Sequence, residues 1–195
     1  MAKRPIFLID GSIYYGEFKW NGGFALSQSR KNIEALHNSF LEIPGNKNKR
    51  LLEISSKSPE ELGVKLSAFN LLIYVPSLSK KVPVECVFQA GKVFKNGGPY
   101  LDLLEKSPRD AKRDERLRSS GKLIAFEFEG KSFPLEPKTY FYDFVYFKAL
   151  DENPELRDEL LKYDGFTDIV FNPEKSVNCQ AKSCAVYVRR AEKCV

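Results

Sequence analysis

The chain has 195 residues, of which 43% are hydrophobic and 13% aromatic, and it carries a formal net charge of +5 at pH 7. This composition predicts one domain, residues 1–195, whose core is large enough to fold without metal or disulfide support. No apolar run approaches the roughly 18 residues that a membrane span needs. The opening MAKRPIFLID is too short for a signal peptide, so we expect a cytoplasmic protein.

Potential metal ligands are sparse. The four cysteines form no CxxC pair, and the one histidine, His37, falls on the apolar repeat of a predicted helix. A zinc site needs about four closely spaced ligands, so we predict neither a metal site nor a cofactor, and we predict a structural role for His37. Any chemistry would depend on carboxylates, lysines or hydroxyls.

The first half of the chain mixes predicted strands and helices. Two short strands, PIFLID and SIYYGEFKW, are joined by a turn at Asp10 and Gly11, and an amphipathic helix is predicted from 27 to 43. LLEISS, at 51–56, is typical of a buried strand, and KLSAFNLLIYVP, at 65–76, of a second extended run.

The second half adds a helix in the segment 82–94, entered at Pro83, a basic helix that begins at Pro108 in the segment 106–122, a hairpin at 122–137, and helices at 139–153 and from Pro154. TDIVFNP is typical of a strand, and SCAVYVRRAEK fits either a strand or a helix. Strands and helices do not alternate strictly and no linker is visible, so we predict a single α+β domain.

The helix VPVECVFQAGKVF is apolar on most of its circumference, yet it carries a polar row. Glu85, Gln89 and Lys92 are spaced i, i+4 and i+7, which places them on one helical face. A buried carboxylate is costly unless it is paired. The row therefore faces either a ligand cavity or structural ion-pair partners, and periodicity leaves both readings open.

A basic segment follows, KSPRDAKRDERLRSSGK, in which Ser107 and Pro108 predict a helix start. Four cations recur at helical spacing: Arg109, Lys112, Arg113 and Arg116. They predict either a solvated helix face or a footprint for phosphates of a nucleotide or nucleic acid. The neighbouring acids Asp110, Asp114 and Glu115 are expected on other faces.

Two further polar clusters follow apolar segments. One is Ser55 to Ser58, which includes Lys57. In the other, strand alternation would place Lys65, Ser67 and Phe69 on one side, beside Asn70. A lysine, a hydroxyl and a ring on one face can hold a sugar-phosphate and stack a base, although an exposed lysine and serine beside a core phenylalanine are common.

These segments resemble the signature of the NADAR family. The matching pieces are Ile54-Ser55-Ser56, Leu66-Ser67-Ala68-Phe69, Glu85 to Lys92, SPRDAKR and NPELRDELL. The resemblance covers residues 50–190, with 1–49 as an N-terminal extension, and its form is similar to NADAR antitoxins paired with DarT-type DNA ADP-ribosyltransferase toxins. It implies a compact, mostly helical α+β domain with short strands.

The resemblance implies a hydrolase of N-glycosidic bonds that removes ADP-ribose from guanine in DNA, preferably single-stranded DNA, releases ADP-ribose and counters a DarT-type toxin. Another branch of the family cleaves N-glycosidic intermediates of riboflavin synthesis. A third reading is a non-catalytic module that binds ADP-ribose, nucleic acid or the toxin.

The family's conserved glutamate, glutamine and lysine fall on Glu85, Gln89 and Lys92. We expect Glu85 to face a concave, water-poor pocket as the acid/base or electrostatic group, and Lys92 either to hydrogen-bond the ribose or to form a Schiff base. Candidate substrate-binding residues are Trp20, Ser55, Lys57, Lys65, Ser67, Phe69, Asn70, Gln89 and Asp168, and the candidate phosphate or nucleic-acid ligands are Arg109, Lys112, Arg113 and Arg116.

The chain departs from the family pattern at three places. Cys86 replaces the family's histidine, and Ala68 replaces an asparagine, with Asn70 close by. The family's late Asp-x-x-Trp-Gly stretch has no clean counterpart, which leaves Asp168, Phe171, Asn178 and Trp20 as candidates for its roles.

Overall fold

The computed structural model describes residues 1–23, 25–174 and 176–192. Its strands and helices confirm the α+β fold class. The contacts within the chain divide it into two compact units. The terminal unit comprises residues 1–67 and 155–195, and the central unit comprises residues 68–154. The single domain 1–195 stays a prediction.

The terminal unit is built on a four-stranded sheet with the order β2-β1-β9-β3. Its elements are β1 (Ala2–Leu8), β2 (Ile13–Phe18), α1 (Leu26–Leu41), β3 (Leu51–Glu53), α2 (Glu61–Lys65), α7 (Pro154–Leu160, which begins at the last residue of the central unit), β9 (Gly165–Thr167) and α8 (Gln180–Glu192). The strand β1 pairs antiparallel with both β2 and β9, whereas β3 and β9 are parallel.

Helix α1 supplies the apolar face that the sequence predicts. Ile33, Leu36 and Phe40 lie one helical turn apart, are at most 5% exposed, and pack with Ile6 and Phe18 of the sheet. Burial of these side chains stabilises the terminal unit, because apolar area removed from water contributes roughly 25 cal/mol per Å².

The central unit contains a β-hairpin, a three-stranded antiparallel sheet and four helices packed near them. Its elements are β4 (Leu72–Val75), β5 (Lys80–Pro83), α3 (Val84–Ala90), β6 (Lys92–Phe94), α4 (Pro108–Arg113), α5 (Arg116–Ser119), β7 (Leu123–Phe128), β8 (Lys131–Phe133) and α6 (Tyr140–Asp151). Short 3-10 helices lie at Pro76–Leu78 and Leu101–Glu105.

Aromatic rings form the core of the central unit. Phe88 of α3, Phe126 of β7 and Phe141 of α6 stack with centroid distances of 4.7 to 6.2 Å. Because these rings come from a helix, a strand and a second helix, they fix α3 against the sheet and against α6. The position of α3 therefore depends on packing against two other elements, β7 and α6.

Several predicted elements are wrong in their boundaries. The extended run 65–76 does not exist: Lys65 ends α2, Leu66 donates its backbone N–H to the carbonyl of Leu62, and β4 begins only at Leu72. Lys65, Ser67 and Phe69 therefore do not share a strand face. Helical hydrogen bonds within residues 61–67 prevail over the alternating pattern, which has no strand partner there.

The basic helix predicted to begin at Pro108 does begin there, but it is two short helices, α4 and α5. Ser107 caps α4 as predicted, accepting a hydrogen bond from the N–H of Asp110 at 3.2 Å. The backbone of Asp114 then leaves the helical region, with φ −55° and ψ 129°, and its carboxylate binds Arg116. The four cations Arg109, Lys112, Arg113 and Arg116 therefore do not lie on one continuous helix.

The remaining boundary differences concern the ends of elements. The helix at 82–94 ends at Ala90, after which Lys92 starts β6. The predicted strand TDIVFNP is replaced by β9, which ends at Thr167, and the ambiguous C-terminal segment is helical in α8. The short β-strands form where a partner strand is available, which a local pattern does not reveal.

Gly63 provides a test of packing in the terminal unit. A Cβ at this position would lie 2.0 Å from the carbonyl oxygen of Glu53 and 2.4 Å from Oγ of Ser58. Ala is favoured over Gly in a helix by about 1 kcal/mol, but a clash with a backbone carbonyl outweighs this preference. We expect Gly63→Ala to lower the free energy of unfolding by about 1–3 kcal/mol, measured by urea denaturation.

The matched control for this change is Gly22→Ala, because a Cβ at Gly22 meets nothing within 4 Å. Equal urea midpoints for Gly63→Ala and Gly22→Ala would show that α2 does not pack on Glu53 as described.

Candidate active site

Helix α3 lies at the centre of the candidate site. All seven of its residues are buried. Its first turn is fixed by the preceding segment, because the backbone N–H of Val84 donates to the carbonyl of Leu71 and that of Glu85 to the carbonyl of Ala68, both at 2.9 Å. Glu85 therefore enters the interior with a defined backbone position, and the residue is only 5% exposed.

The polar row predicted from the sequence is a hydrogen-bonded chain. Lys92 Nζ donates to Gln89 Oε1 at 2.7 Å, and Gln89 Nε2 donates to Glu85 Oε1 at 2.8 Å. An ammonium only donates and a carboxylate only accepts, so the amide oxygen of Gln89 must face the lysine and its NH₂ the glutamate. Although Lys92 lies on β6 rather than on α3, its side chain reaches back one turn to complete the row.

Two groups of the central unit lie beside this row. Lys112 of α4 places Nζ 3.5 Å from Glu85 Oε1 and 5.4 Å from the ring centroid of Phe69. The Lys112 side chain is 57% exposed, so this ion pair borders on solvent and contributes little to stability. The site thus combines a buried carboxylate, an amide, a half-buried amine, a second cation and an aromatic ring.

Burial changes the acid-base behaviour of Lys92. Desolvation lowers the pKa of its amine to about 8, the carboxylate of Glu85 opposes this shift, and the charge of Lys112 adds to it. The ammonium lies 4.8 Å from the ring centroid of Phe88. The neutral amine of Lys92 is therefore far more abundant near neutral pH than that of an ordinary lysine.

Cys86, which stands where the family has a histidine, is not activated. It is completely buried, and its Sγ donates to the carbonyl of Lys106 at 3.3 Å. Burial and the nearby Glu85 carboxylate raise the pKa of the thiol to about 11, so the nucleophilic thiolate is scarce near neutral pH. Cys86 packs as an apolar side chain.

A pocket of about 190 Å³ lies on the opposite face of α3. Val87, Ala90 and Gly91 of this segment line it, together with Glu127 and Glu129. Glu85, Gln89 and Lys92 do not belong to its lining. The expectation that Glu85 faces a concave pocket stays a prediction.

Several predicted site residues belong to the terminal unit. Ser55 Oγ donates to Glu53 Oε1 at 2.7 Å, and Thr167 Oγ1 donates to Glu53 Oε2 at 2.6 Å. Thr167 in turn contacts His37 Nε2 at 2.9 Å, and burial lowers the pKa of His37 to about 4. Since the hydroxyl proton of Thr167 is used on Glu53, neutral His37 donates from Nε2, which is the structural role expected for it.

Asp168 lies beside this buried network. Its Oδ1 accepts the N–H groups of Val170 and Phe171, and its Oδ2 accepts Gln180 Nε2 at 3.0 Å. Burial, together with the charge of Glu53, raises the pKa of Asp168 to about 7. Its hydrogen bonds cap the turn after β9 and hold α8, and a substrate-binding role for Asp168 stays a prediction.

The other candidates of the terminal unit differ in exposure. Trp20 is 43% exposed and lies 5.4 Å from the guanidinium of Arg4, whereas Ser67 is 2% exposed and its Oγ donates to the carbonyl of Val64. Lys65 is paired with Glu61 at 2.7 Å, and Lys57 is half-buried. Their roles toward a substrate stay predictions, as does that of the exposed Asn70 in the central unit.

The four cations of the basic segment have different surroundings. Arg116 forms a bidentate ion pair with Asp102 and a second ion pair with Asp114. Its guanidinium carbon lies 4.4 Å from the ring centroid of Tyr100. Hydrogen bonds from Arg116 and from Lys106 hold the pKa of the Asp114 carboxyl well below its usual range. In contrast, no hydrogen bond or ion pair in the described ranges involves the exposed side chains of Arg109 and Arg113. Arg116 is thus engaged in structural ion pairs, and these two arginines are available at the surface.

The sequence pattern does not predict two features of the structure. Lys112, grouped above with surface cations, lies against Glu85, and Glu53 is buried at 1% exposure as the acceptor of a polar network. The single carboxylate within the apolar run LLEISS is a signal that could have revealed Glu53.

Among the described residues, no three His, Cys, Asp or Glu side chains are arranged to hold a metal ion. None of the described helices is long and apolar enough to cross a membrane.

Comparison with protein families extends the resemblance over the whole chain. A family model described as the DarT1-associated NADAR antitoxin matches residues 2–194. The match includes residues 2–49, which the sequence pattern alone separates as an extension. No curated protein matches the chain. Because the family model covers nearly every residue, the chain belongs to the family of DarT1-associated NADAR antitoxins.

Proposed function

We propose that the chain is a hydrolase that cleaves the N-glycosidic bond between ADP-ribose and a guanine base in DNA, and thereby reverses the mark that a DarT-type toxin places. Glycosidase-type activity is the kind associated with the NADAR family. The observation that carries the proposal is the buried row Glu85–Gln89–Lys92, which sets a carboxylate and an amine of lowered pKa within one hydrogen-bonded chain.

Cleavage of this bond develops positive charge at the anomeric carbon of the ribose. A carboxylate held in a water-poor environment stabilises that charge more strongly than one in bulk solvent. Glu85 also accepts a proton from the attacking water, and the departing guanine is protonated as it leaves. Gln89 holds the Glu85 carboxylate in one orientation, which avoids reorganisation during the reaction.

The lowered pKa of Lys92 gives a covalent route more weight than the sequence alone does. In this route the neutral amine attacks the anomeric carbon, the bond to guanine breaks, and the ribose ring opens to leave a Schiff base on Lys92. Water then adds to the imine carbon, and collapse of the adduct releases ADP-ribose and restores the amine. Glu85 serves both routes as the general base for water.

The DNA strand is expected to contact the exposed arginines of α4. Neutralising Arg109 and Arg113 together, as a double glutamine variant, should weaken binding of a guanine-ADP-ribosylated single-stranded oligonucleotide and reduce its salt slope by about 1.4, which is about 0.7 for each lost phosphate contact. Binding of free ADP-ribose should be unchanged. Both affinities are measured by titration at several salt concentrations.

Arg116→Gln is a less suitable probe of this interface, because Arg116 is held by Asp102 and Asp114 and its loss would disturb the fold locally. If the double variant weakened free ADP-ribose and the oligonucleotide equally, the two arginines would belong to nucleotide binding instead.

The proposal itself is tested by mass spectrometry on a panel of substrates. The protein is incubated with guanine-ADP-ribosylated single-stranded oligonucleotide, with the same lesion in a duplex, and with a small N-glycosidic intermediate of the riboflavin type. We expect release of ADP-ribose and unmodified guanine from the single-stranded substrate. Turnover of the small glycoside alone would favour the other branch of the family, and no turnover at all would contradict the hydrolase.

A further inference from the structure

We propose that Lys112 is a positioning residue of the candidate site, which acts through Glu85 and Lys92: its ammonium binds the Glu85 carboxylate and so weakens the attraction of that carboxylate for the Lys92 proton. This inference rests on the proposed function in assigning a purpose to the neutral amine, but its electrostatic content is independent of any substrate. It separates Lys112 from the surface arginines with which it shares α4.

The first observation is the arrangement of charges. Two charged groups face Lys92, namely Glu85 from α3 and Lys112 from α4, while the paired strand β7 presents Phe126 opposite it. Glu127 of β7 lines the pocket on the other face of α3. One carboxylate is therefore shared by two cations, and its effect on Lys92 depends on how strongly Lys112 binds it.

The second observation is the placement of Gln89. Its neutral amide lies between Lys92 Nζ and Glu85 Oε1, and none of the ion pairs among the described residues involves Lys92. Lys112 Nζ, in contrast, reaches Glu85 Oε1 itself at 3.5 Å. The direct counter-ion of Glu85 is thus the exposed lysine, whereas the half-buried lysine contacts the Gln89 amide and the Phe88 ring.

The third observation explains how Lys112 is held. Helix α4 begins at a capped position, with Ser107 accepting from the N–H of Asp110, and Ala111 is completely buried against its surroundings. The Lys112 ammonium also lies over the ring of Phe69 at 5.4 Å. These contacts direct the side chain toward α3, although it is 57% exposed.

Removing the positive charge of Lys112 has two effects on Lys92, and both raise its pKa. The repulsion between the two ammonium groups disappears, and Glu85, no longer neutralised, attracts the Lys92 proton more strongly. Both changes favour the protonated amine, so the Lys92 pKa must rise. We expect Lys112→Gln to raise it by about half a unit or more.

The experiment measures the Lys92 amine directly in the full chain without substrate. Trace acetic anhydride labels amines only in their neutral form, and mass spectrometry of the Lys92 peptide at a series of pH values gives its pKa. The wild type, Lys112→Gln, Lys112→Arg and Arg113→Gln are compared. Arg113→Gln is the matched control, since it removes one positive charge from the same helix without touching Glu85.

The expected result is an upward shift of the Lys92 titration in Lys112→Gln, recovery of the wild-type value in Lys112→Arg, and no shift in Arg113→Gln. An unchanged titration in Lys112→Gln would overturn the inference, as would equal shifts in Lys112→Gln and Arg113→Gln, which would indicate a general charge effect. Because this readout needs no substrate, its failure is distinct from failure of the proposed function. If the proposed function holds as well, the pH at which turnover rises in Lys112→Gln increases by the same amount as the Lys92 pKa.

Discussion

Glu85→Gln is expected to reduce hydrolysis of ADP-ribosyl-guanine by a factor on the order of 10²–10⁴, the range that a positioned acid or base contributes. The amide keeps the shape of the side chain and still accepts the hydrogen bond from Gln89 Nε2. It has no negative charge to stabilise the anomeric cation and takes no proton from water. The measurement is single-turnover release of ADP-ribose, followed by mass spectrometry.

The fold of this variant should persist, because the lost ion pair with Lys112 is solvent-bordered and contributes at most about 1 kcal/mol. Glu127→Gln is the matched control: it removes a carboxylate from the opposite side of α3, and its turnover should equal that of the wild type. Unaltered turnover in Glu85→Gln would refute the catalytic assignment.

The same variant separates the enzyme from a non-catalytic antitoxin. Co-expressed with the cognate DarT-type toxin, a hydrolase-deficient Glu85→Gln chain should fail to rescue growth. Rescue by this variant, with no hydrolysis in vitro, would instead support neutralisation of the toxin by direct contact.

Lys92→Met is expected to have the second large effect, a loss of turnover of at least about 10²-fold with little change in stability. Methionine retains an apolar stem beside the Phe88 ring but has no amine. Lys92→Arg distinguishes a nucleophilic amine from a purely electrostatic one, because arginine keeps the positive charge but offers no nucleophile. Lys95→Met, which removes an exposed lysine of the same segment, is the control and should leave turnover unchanged.

Two measurements on the wild type complete this prediction. If the neutral amine acts, turnover should climb as the pH rises toward about 8 and level off above it, because deprotonation follows the lowered pKa of Lys92. Borohydride added during turnover should trap ADP-ribose on Lys92 as a stable secondary amine. Full activity of Lys92→Arg together with no trapped adduct would assign the lysine to ribose or phosphate binding.

The sequence predicts several local features that the structure confirms. Glu85 and Gln89 share one helical face and are hydrogen-bonded, Ser107 caps a helix, and Ile33, Leu36 and Phe40 form a buried stripe. Each depends on residues within about one turn of one another, so their spacing suffices to place them.

Other predictions fail where distant residues decide the structure. The segment 65–76 alternates like a strand, yet only residues 72–75 find a partner strand, in β5. The basic helix breaks at Asp114 because its carboxylate binds Arg116 and Lys106 instead of facing solvent on a continuous helix. Neither partner choice is contained in a local periodicity.

By itself, the sequence determined an α+β chain with a NADAR signature, a buried helix that carries Glu85 and Gln89, and a lysine three positions further on. Only the tertiary structure decided that Lys92 leaves that helix and still binds Gln89, that Lys112 approaches Glu85 across 27 positions of sequence, and that Arg116 is bound to acids. The physical reason is that a periodic pattern specifies which face a residue occupies, whereas burial and charge pairing depend on what packs against that face.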